Sequence, residues 1–184
     1  MDAVCFDLDG TLFDDRQYVR AGLLAAADVV ERQTGVDIAA ELLTAYFQRG
    51  ITEGTFDTVL EEHRLSTDFI PELVTAYHAN DAPLVPFPDA EPTLEGLRTD
   101  YDLAVVTGGT NGAAKLDRLG IDDRFETVIV TPELDRSKAD PRVFERAAAD
   151  LSVLPWSAVY VGDDPRSDFR VPNAMSMTTV RLRR

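Results

Sequence analysis

A chain of 184 residues with 45% hydrophobic content has room for one full domain core and a small insert, and its single cysteine, Cys5, excludes an internal disulfide. Acidic residues number 33 against 18 basic ones, for a net charge of −15, which excludes the clustered positive surface that nucleic-acid binding requires. No apolar run approaches the roughly 18 residues of a membrane helix, and Met1-Asp2-Ala3 leads straight into a strand-like run without a basic and then apolar leader. A soluble, cytoplasmic protein without membrane or nucleic-acid partners is expected. Many acids, with Lys115 and Lys138 as the only lysines, resemble the composition of proteins from salt-loaded cytoplasms.

In chain order, Ala3 to Leu8 is short, apolar and bounded by Asp9-Gly10, which predicts a buried strand ending in a turn. From Asp15 to about Ala79 the pattern is helical. Val19, Leu23, Ala27 and Val30 recur at helical spacing and Gly35 follows as a stop. Further helices are predicted over Ile38–Gln48, Glu53–His63 and Asp68–Ala79, with Thr52 and Thr67 as N-caps. Ala82 to Pro88 is proline-rich and reads as a returning linker.

After the linker, strand-like Leu103–Val106, Val128–Val130, Ala158–Val161 and Thr178–Leu182 alternate with helix-like Glu91–Arg98, Gly112–Leu119 and Pro141–Leu151. Asp140 is placed as the N-cap of the last helix, with Pro141 in its first turn. Such alternation implies parallel strands joined by right-handed crossovers. The expected organisation is an α/β core of residues 1–14 and 83–184, interrupted after its first strand by a helical insert of residues 15–82. The strands are expected in the order Thr178–Leu182, Ala158–Val161, Ala3–Leu8, Leu103–Val106, Val128–Val130, with the first strand central.

Four segments carry groups suited to chemistry at strand ends, where open α/β sheets bind ligands. Asp7 and Asp9 straddle Leu8, so strand alternation points both to one side. Two such carboxylates can divide the work of nucleophile and general acid/base. Thr107-Gly108-Gly109-Thr110 offers a hydroxyl and an open backbone to an anion. Lys138 is a compact point charge in a chain that otherwise uses arginine, placed in a polar loop before a capped helix. Lys115 reads as an ordinary mid-helix lysine. Gly162-Asp163-Asp164, with Asp168 four residues on, supplies oxygen ligands of the kind magnesium prefers.

The order of these pieces, and above all Phe6-Asp7-Leu8-Asp9-Gly10-Thr11-Leu12-Phe13, resembles the haloacid dehalogenase-like hydrolase superfamily over nearly the whole chain. Lys115-Leu116-Asp117-Arg118-Leu119-Gly120-Ile121 through Phe125 is similar to the subclass with a helical cap. The resemblance implies a Rossmannoid parallel sheet of about five strands with an inserted all-helical cap. It implies a magnesium-dependent phosphomonoester hydrolase acting on a small phosphorylated metabolite through an aspartyl-phosphate. In that scheme Asp7 is the nucleophile and Asp9 the acid/base. Thr107 and Gly108 bind phosphate, and Lys138 neutralises charge beside Asp7. Magnesium is held by Asp7, Asp163 and the backbone carbonyl of Asp9. Asp164 and Asp168 lie behind the ligands, Asp168 pairing with Lys138.

Three departures stand out: Ala139 where a proline usually follows the lysine, Val171-Pro172 where relatives carry Gly-Ala, and an end at Leu182-Arg183-Arg184 where relatives run longer. A haloacid dehalogenase needs no second aspartate, so Asp9 speaks against that alternative. Phosphomutase action uses the same aspartyl-phosphate. A non-catalytic binding module could lose a carboxylate, yet every expected one is present. Phosphoglycolate, a small sugar phosphate or a nucleoside monophosphate all suit the scheme. Tyr46, Arg49, His63 and His78 in the insert are the candidates for contacting the substrate.

Overall fold

Ala3–Phe6 (β1) is buried along its whole length, the condition of a strand with neighbours on both sides and layers on both faces. A computed structural model describing all 184 residues places it at the centre of a five-stranded parallel sheet. The other strands are Asp102–Thr107 (β2), Thr127–Val130 (β3), Ala158–Gly162 (β4) and Thr178–Arg181 (β5), in the order β3-β2-β1-β4-β5. This is the order expected from the sequence. Register follows from the pairs Cys5 with Ala104 and with Tyr160, so β4 runs one residue and β2 two residues beyond the end of β1.

The chain forms two compact units, one of Met1–Asp15 with Pro83–Arg184 and the other of Arg16–Ala82. In the first, Ala90–Leu97 (α5), Gly112–Leu119 (α6) and Pro141–Asp150 (α7) alternate with the strands. Val143, Phe144, Ala147 and Leu151 pack on Ala3, Cys5, Ala104, Val106 and Tyr160 in one apolar cluster. The edge strand β5 is mostly exposed, and the Arg184 guanidinium ties the segment after it to Asp89 and to the Thr11 carbonyl. The short helix Arg170–Ala174 (α8) was not expected, because five residues holding a proline carry no helical period. It contains Val171-Pro172, and Val171 reaches the core cluster.

The second unit is all helical: Arg16–Thr34 (α1), Ala39–Phe47 (α2), Thr55–Glu62 (α3) and Ile70–Ala79 (α4). Leu23, Ala26, Ala27, Val30, Leu42, Val59, Leu60 and Leu73 form its own buried cluster. Helices α1 and α4 come together at Gly22, where a Cβ would overlap the Tyr77 ring. Two expected caps are corrected. Gly54, at φ 65°, precedes α3 in place of Thr52, because glycine enters the left-handed region without steric cost. Before α4 a 3₁₀ turn at Thr67–Phe69 intervenes, capped by the Ser66 hydroxyl rather than by Thr67.

Candidate active site

The carboxyl ends of β1, β2 and β4 open on a cleft of about 550 Å³ lined by Asp7, Asp9, Thr107, Gly108, Lys138 and Asp163, with Asp15, Gly109 and Asp164 at its border. Asp7 follows β1 directly, and its backbone N–H still donates to the Val161 carbonyl at 2.8 Å. The turn beyond it needs Gly10. Its φ is 79°, and a Cβ there would press on the Asp163 carboxylate. The two aspartates of the motif are thus held by sheet and turn, not by flexible loop.

Asp7 is only 5% exposed. Its Oδ1 receives a hydrogen bond from the Lys138 ammonium, which also donates to Asp168 Oδ1 at 2.8 Å. Lys138 reaches this point from a turn in which the Asp140 N–H donates to the Ser137 carbonyl at 2.9 Å, so Ala139 serves where a proline was expected. Burial pushes the Asp7 carboxyl up to about 7, with Lys138 opposing and Asp168 adding to the rise. Burial works against the Lys138 charge, but Asp7 and Asp168 outweigh it and raise that group. The first shift favours a neutral acid and the second a charged amine. Geometry decides for the charged lysine, because two carboxylates share one ammonium.

Asp168 is fully buried and saturated. Its Oδ1 takes Lys138, and its Oδ2 takes the backbone N–H groups of Asp163 and Asp164 at 3.1 and 2.9 Å. It therefore fixes the loop after β4 and orients Lys138. A Cβ on Gly162 would overlap it. The Asp164 carboxylate lines the cleft and accepts from the Arg166 guanidinium and backbone N–H, while its own N–H donates to Asp168. Asp163 accepts from the buried Thr11 hydroxyl at 3.1 Å.

Asp7, Asp163 and Asp168 each present an oxygen within 4.8 Å of the others. An all-oxygen set of this span fits a hard cation such as magnesium, whose ligands lie near 2.1 Å. Asp168 already serves five donors, so Asp7 and Asp163 are the side chains able to hold one.

Asp9 sits in a different setting. Its Oδ1 receives the Lys115 ammonium at 2.6 Å and its Oδ2 the Thr107 hydroxyl at 3.3 Å. The same hydroxyl accepts the Gly109 N–H at 3.1 Å, so Thr107 is committed to the loop and to Asp9 in this arrangement. Lys115 is 4% exposed, and treating it as an ordinary surface lysine is overturned by its place in the site. Asp15, also unsuspected, borders the cleft. Burial raises its carboxyl above the usual range, and the neighbouring Asp9 adds to the rise.

In the helical unit, Tyr46 and His78 line a separate cavity of about 290 Å³ together with Thr55, Phe56 and Tyr77. The His78 Nδ1 and the Tyr18 hydroxyl share a hydrogen bond at 3.0 Å. Arg49 forms an exposed ion pair with Glu62, and His63 lies 3.9 Å from Glu41.

The family model of the haloacid dehalogenase-like hydrolases matches residues 1–172. The chain is 37% identical over 197 aligned positions to the glyceraldehyde 3-phosphate phosphatase of Methanopyrus kandleri, covering 99% of this chain and 84% of that one. It is 30% identical over 201 positions to the ribulose-1,5-bisphosphate 5-phosphatase of Halopiger xanaduensis, covering 97% and 83%. Among solved structures, a HAD phosphatase from Thermococcus onnurineus superposes with a TM-score of 0.69 at 29% identity, covering 100% of this chain and 87% of that one. Sheet order, the paired aspartates at the end of β1 and these likenesses agree, and the chain therefore belongs to the haloacid dehalogenase-like hydrolase family, as a phosphatase.

Proposed function

We propose that the protein hydrolyses a small phosphorylated sugar metabolite of the triose phosphate class, carrying the phosphoryl group transiently on Asp7. The observation that carries this reading is the division of labour at the end of β1. A buried carboxylate beside Lys138 and a more open one beside Lys115 lie two residues apart in one polar cleft. The substrate class is supported by the activity named for the Methanopyrus kandleri relative.

In the first step an Asp7 oxygen attacks phosphorus and the bond to the leaving alcohol breaks. Asp9, protonated, gives its proton to that alcohol. In the second step Asp9 takes a proton from water, the water oxygen attacks phosphorus, and the Asp7–phosphorus bond breaks to release inorganic phosphate. Lys138 keeps positive charge beside Asp7 and the transferring oxygens, while the Gly108 backbone at the end of β2 receives the phosphate, joined by the Thr107 hydroxyl when it turns from Asp9. Magnesium, held by Asp7, Asp163 and the backbone carbonyl of Asp9, would supply further positive charge to the phosphoryl oxygens.

The helical unit Arg16–Ala82 takes the part of a cap that selects the substrate. The net charge of −15 supports work in a salt-loaded cytoplasm. The test is phosphate release from glyceraldehyde 3-phosphate, phosphoglycolate and nucleoside monophosphates, with magnesium and with chelator, in wild type and Asp163→Ala. Preference for the triose phosphate and silence in chelator are expected. Equal rates on all three classes would remove the substrate assignment, and unchanged rates in chelator would remove the metal.

A further inference from the structure

Of the 18 basic residues, two are lysines, and each sits on a different aspartate of the Asp7-Leu8-Asp9 motif. Lys138 is taken up in the mechanism above; Lys115 is not. It lies in the first turn of α6, which follows the loop after β2 directly. Side chains of a helix lean toward its N-terminus, so this position reaches back over the loop toward the end of β1. Four methylenes carry the ammonium through a buried passage to Asp9 Oδ1 at 2.6 Å.

The passage is built for the pair. Gly109 closes it with bare backbone, since a Cβ there would overlap Asp9 Oδ2 and stand 3.0 Å from the Lys115 nitrogen. The Thr107 hydroxyl engages the other carboxylate oxygen. One oxygen is thus anchored by a charge and the other by a hydroxyl, which fixes both the position and the plane of the carboxylate.

We propose that Lys115 is a positioning residue for Asp9, holding its carboxylate where it can give a proton to the leaving alcohol and later take one from water. This rests on the acid/base reading of Asp9. An aspartate has two rotatable side-chain bonds, and both proton transfers require it in the same place. Misplacement of a reacting group by about 1 Å can cost roughly 100-fold in rate.

The test is a comparison of two leaving groups in the magnesium-loaded enzyme. The ratio kcat/KM reports the steps through departure of the leaving group. An alkyl alcohol needs Asp9's proton to leave, whereas p-nitrophenol leaves without it. Lys115→Met is therefore expected to lower kcat/KM about 100-fold on an alkyl phosphate such as glycerol phosphate and less than about 10-fold on p-nitrophenyl phosphate. A merely structural lysine would lower both alike, and that result, or no loss on the alkyl ester, overturns the proposal. Lys115→Gln is measured in the same way, so that one misfolded variant does not decide the matter. Asp9→Asn is run beside them. If it shows the split and the Lys115 variants do not, only the positioning role falls. If it shows no split, the acid/base reading of Asp9 falls first.

Discussion

The two aspartates of the β1 end stand two residues apart and live in different surroundings. The Asp7 side chain is 7% exposed, and its lysine is shared with the fully buried Asp168. The Asp9 side chain is 22% exposed, and its oxygens are divided between Lys115 and a hydroxyl. A nucleophile gains from immobility and from neighbours that resist reorganisation. A group that trades protons with a leaving alcohol and with water must keep an open side. On the proposed reading Asp7 meets the first condition and Asp9 the second, and their exposures differ accordingly.

The largest effect that can break this comparison is on turnover. Asp7→Asn is expected to abolish it while leaving the melting temperature within a few degrees, since the amide keeps the shape and loses the nucleophile. Asp9→Asn is expected to slow steady-state turnover by roughly 100-fold or more yet still release a first equivalent of p-nitrophenol, because that leaving group needs no proton. Rapid-quench measurement of the first turnover separates the two. Full steady-state activity in Asp7→Asn would end the covalent reading.

Stability offers the next contrast. Lys138→Met strands two buried carboxylates, and removing one partner of a buried pair costs about 3–5 kcal/mol. Lys115→Met leaves Asp9 with Thr107 and a solvent-facing side, so a loss of about 1 kcal/mol is expected from this partly screened pair. Urea melts of the two variants in parallel measure the difference. Equal losses would mean that the depth difference between the sites carries no energetic weight.

Salt separates the buried pairs from the surface. A net charge of −15 repels itself more as the chain compacts. The screening length falls from about 30 Å at 0.01 M to about 3 Å at 1 M, so surface repulsion fades while the buried lysine pairs are little affected. The melting temperature is expected to rise by several degrees up to molar potassium chloride, with kcat nearly flat. A flat or falling melting temperature would show that the acidic composition is not an adaptation to salt.

The sheet order was legible because one constraint governs it: Asp7 must be reached by groups from the loops after β2, β3 and β4, so β1 must be central. The motif segments stood out because three follow a strand directly and the fourth, around Lys138, lies in the loop between β3 and α7, in residues that have no reason to be there for packing. Lys115 was not. Helical periodicity treats a charged residue in a helix as solvent-facing, and only the fold shows that this turn leans over the β2 loop. A signal was nevertheless present. The rarity argument that singled out Lys138 applies equally to Lys115, since the chain spends arginine wherever a solvated cation suffices. The misplaced caps have another cause. Thr52 and Thr67 have the right side chains, but cap position is decided by backbone conformation, which Gly54 adopts at φ 65°.

The smallest expected effect concerns Asp140, the cap of α7, two residues beyond Lys138. Its carboxylate accepts the Arg142 N–H at 3.0 Å and pairs with the guanidinium groups of Arg142 and Arg136. The Arg142 hydrogen bond, with Arg136 assisting, holds this carboxyl well below the usual carboxylate range. A group depressed on folding stabilises the native state above its unfolded value, near 3.9 for aspartate, and loses that contribution as pH falls toward the folded value. Asparagine caps a helix as well as aspartate does, so Asp140→Asn isolates the charge from the cap. The variant is expected to melt slightly below wild type from pH 8 to about 5, and the gap is expected to close as pH falls below about 4. Because the pairs are near the surface, molar salt should close the same gap at pH 7, whereas it should leave the loss in Lys138→Met unchanged. A gap that persists through acid would assign Asp140 a packing role and not an electrostatic one. A salt-sensitive loss in Lys138→Met would place that lysine with the surface pairs and not with the buried site.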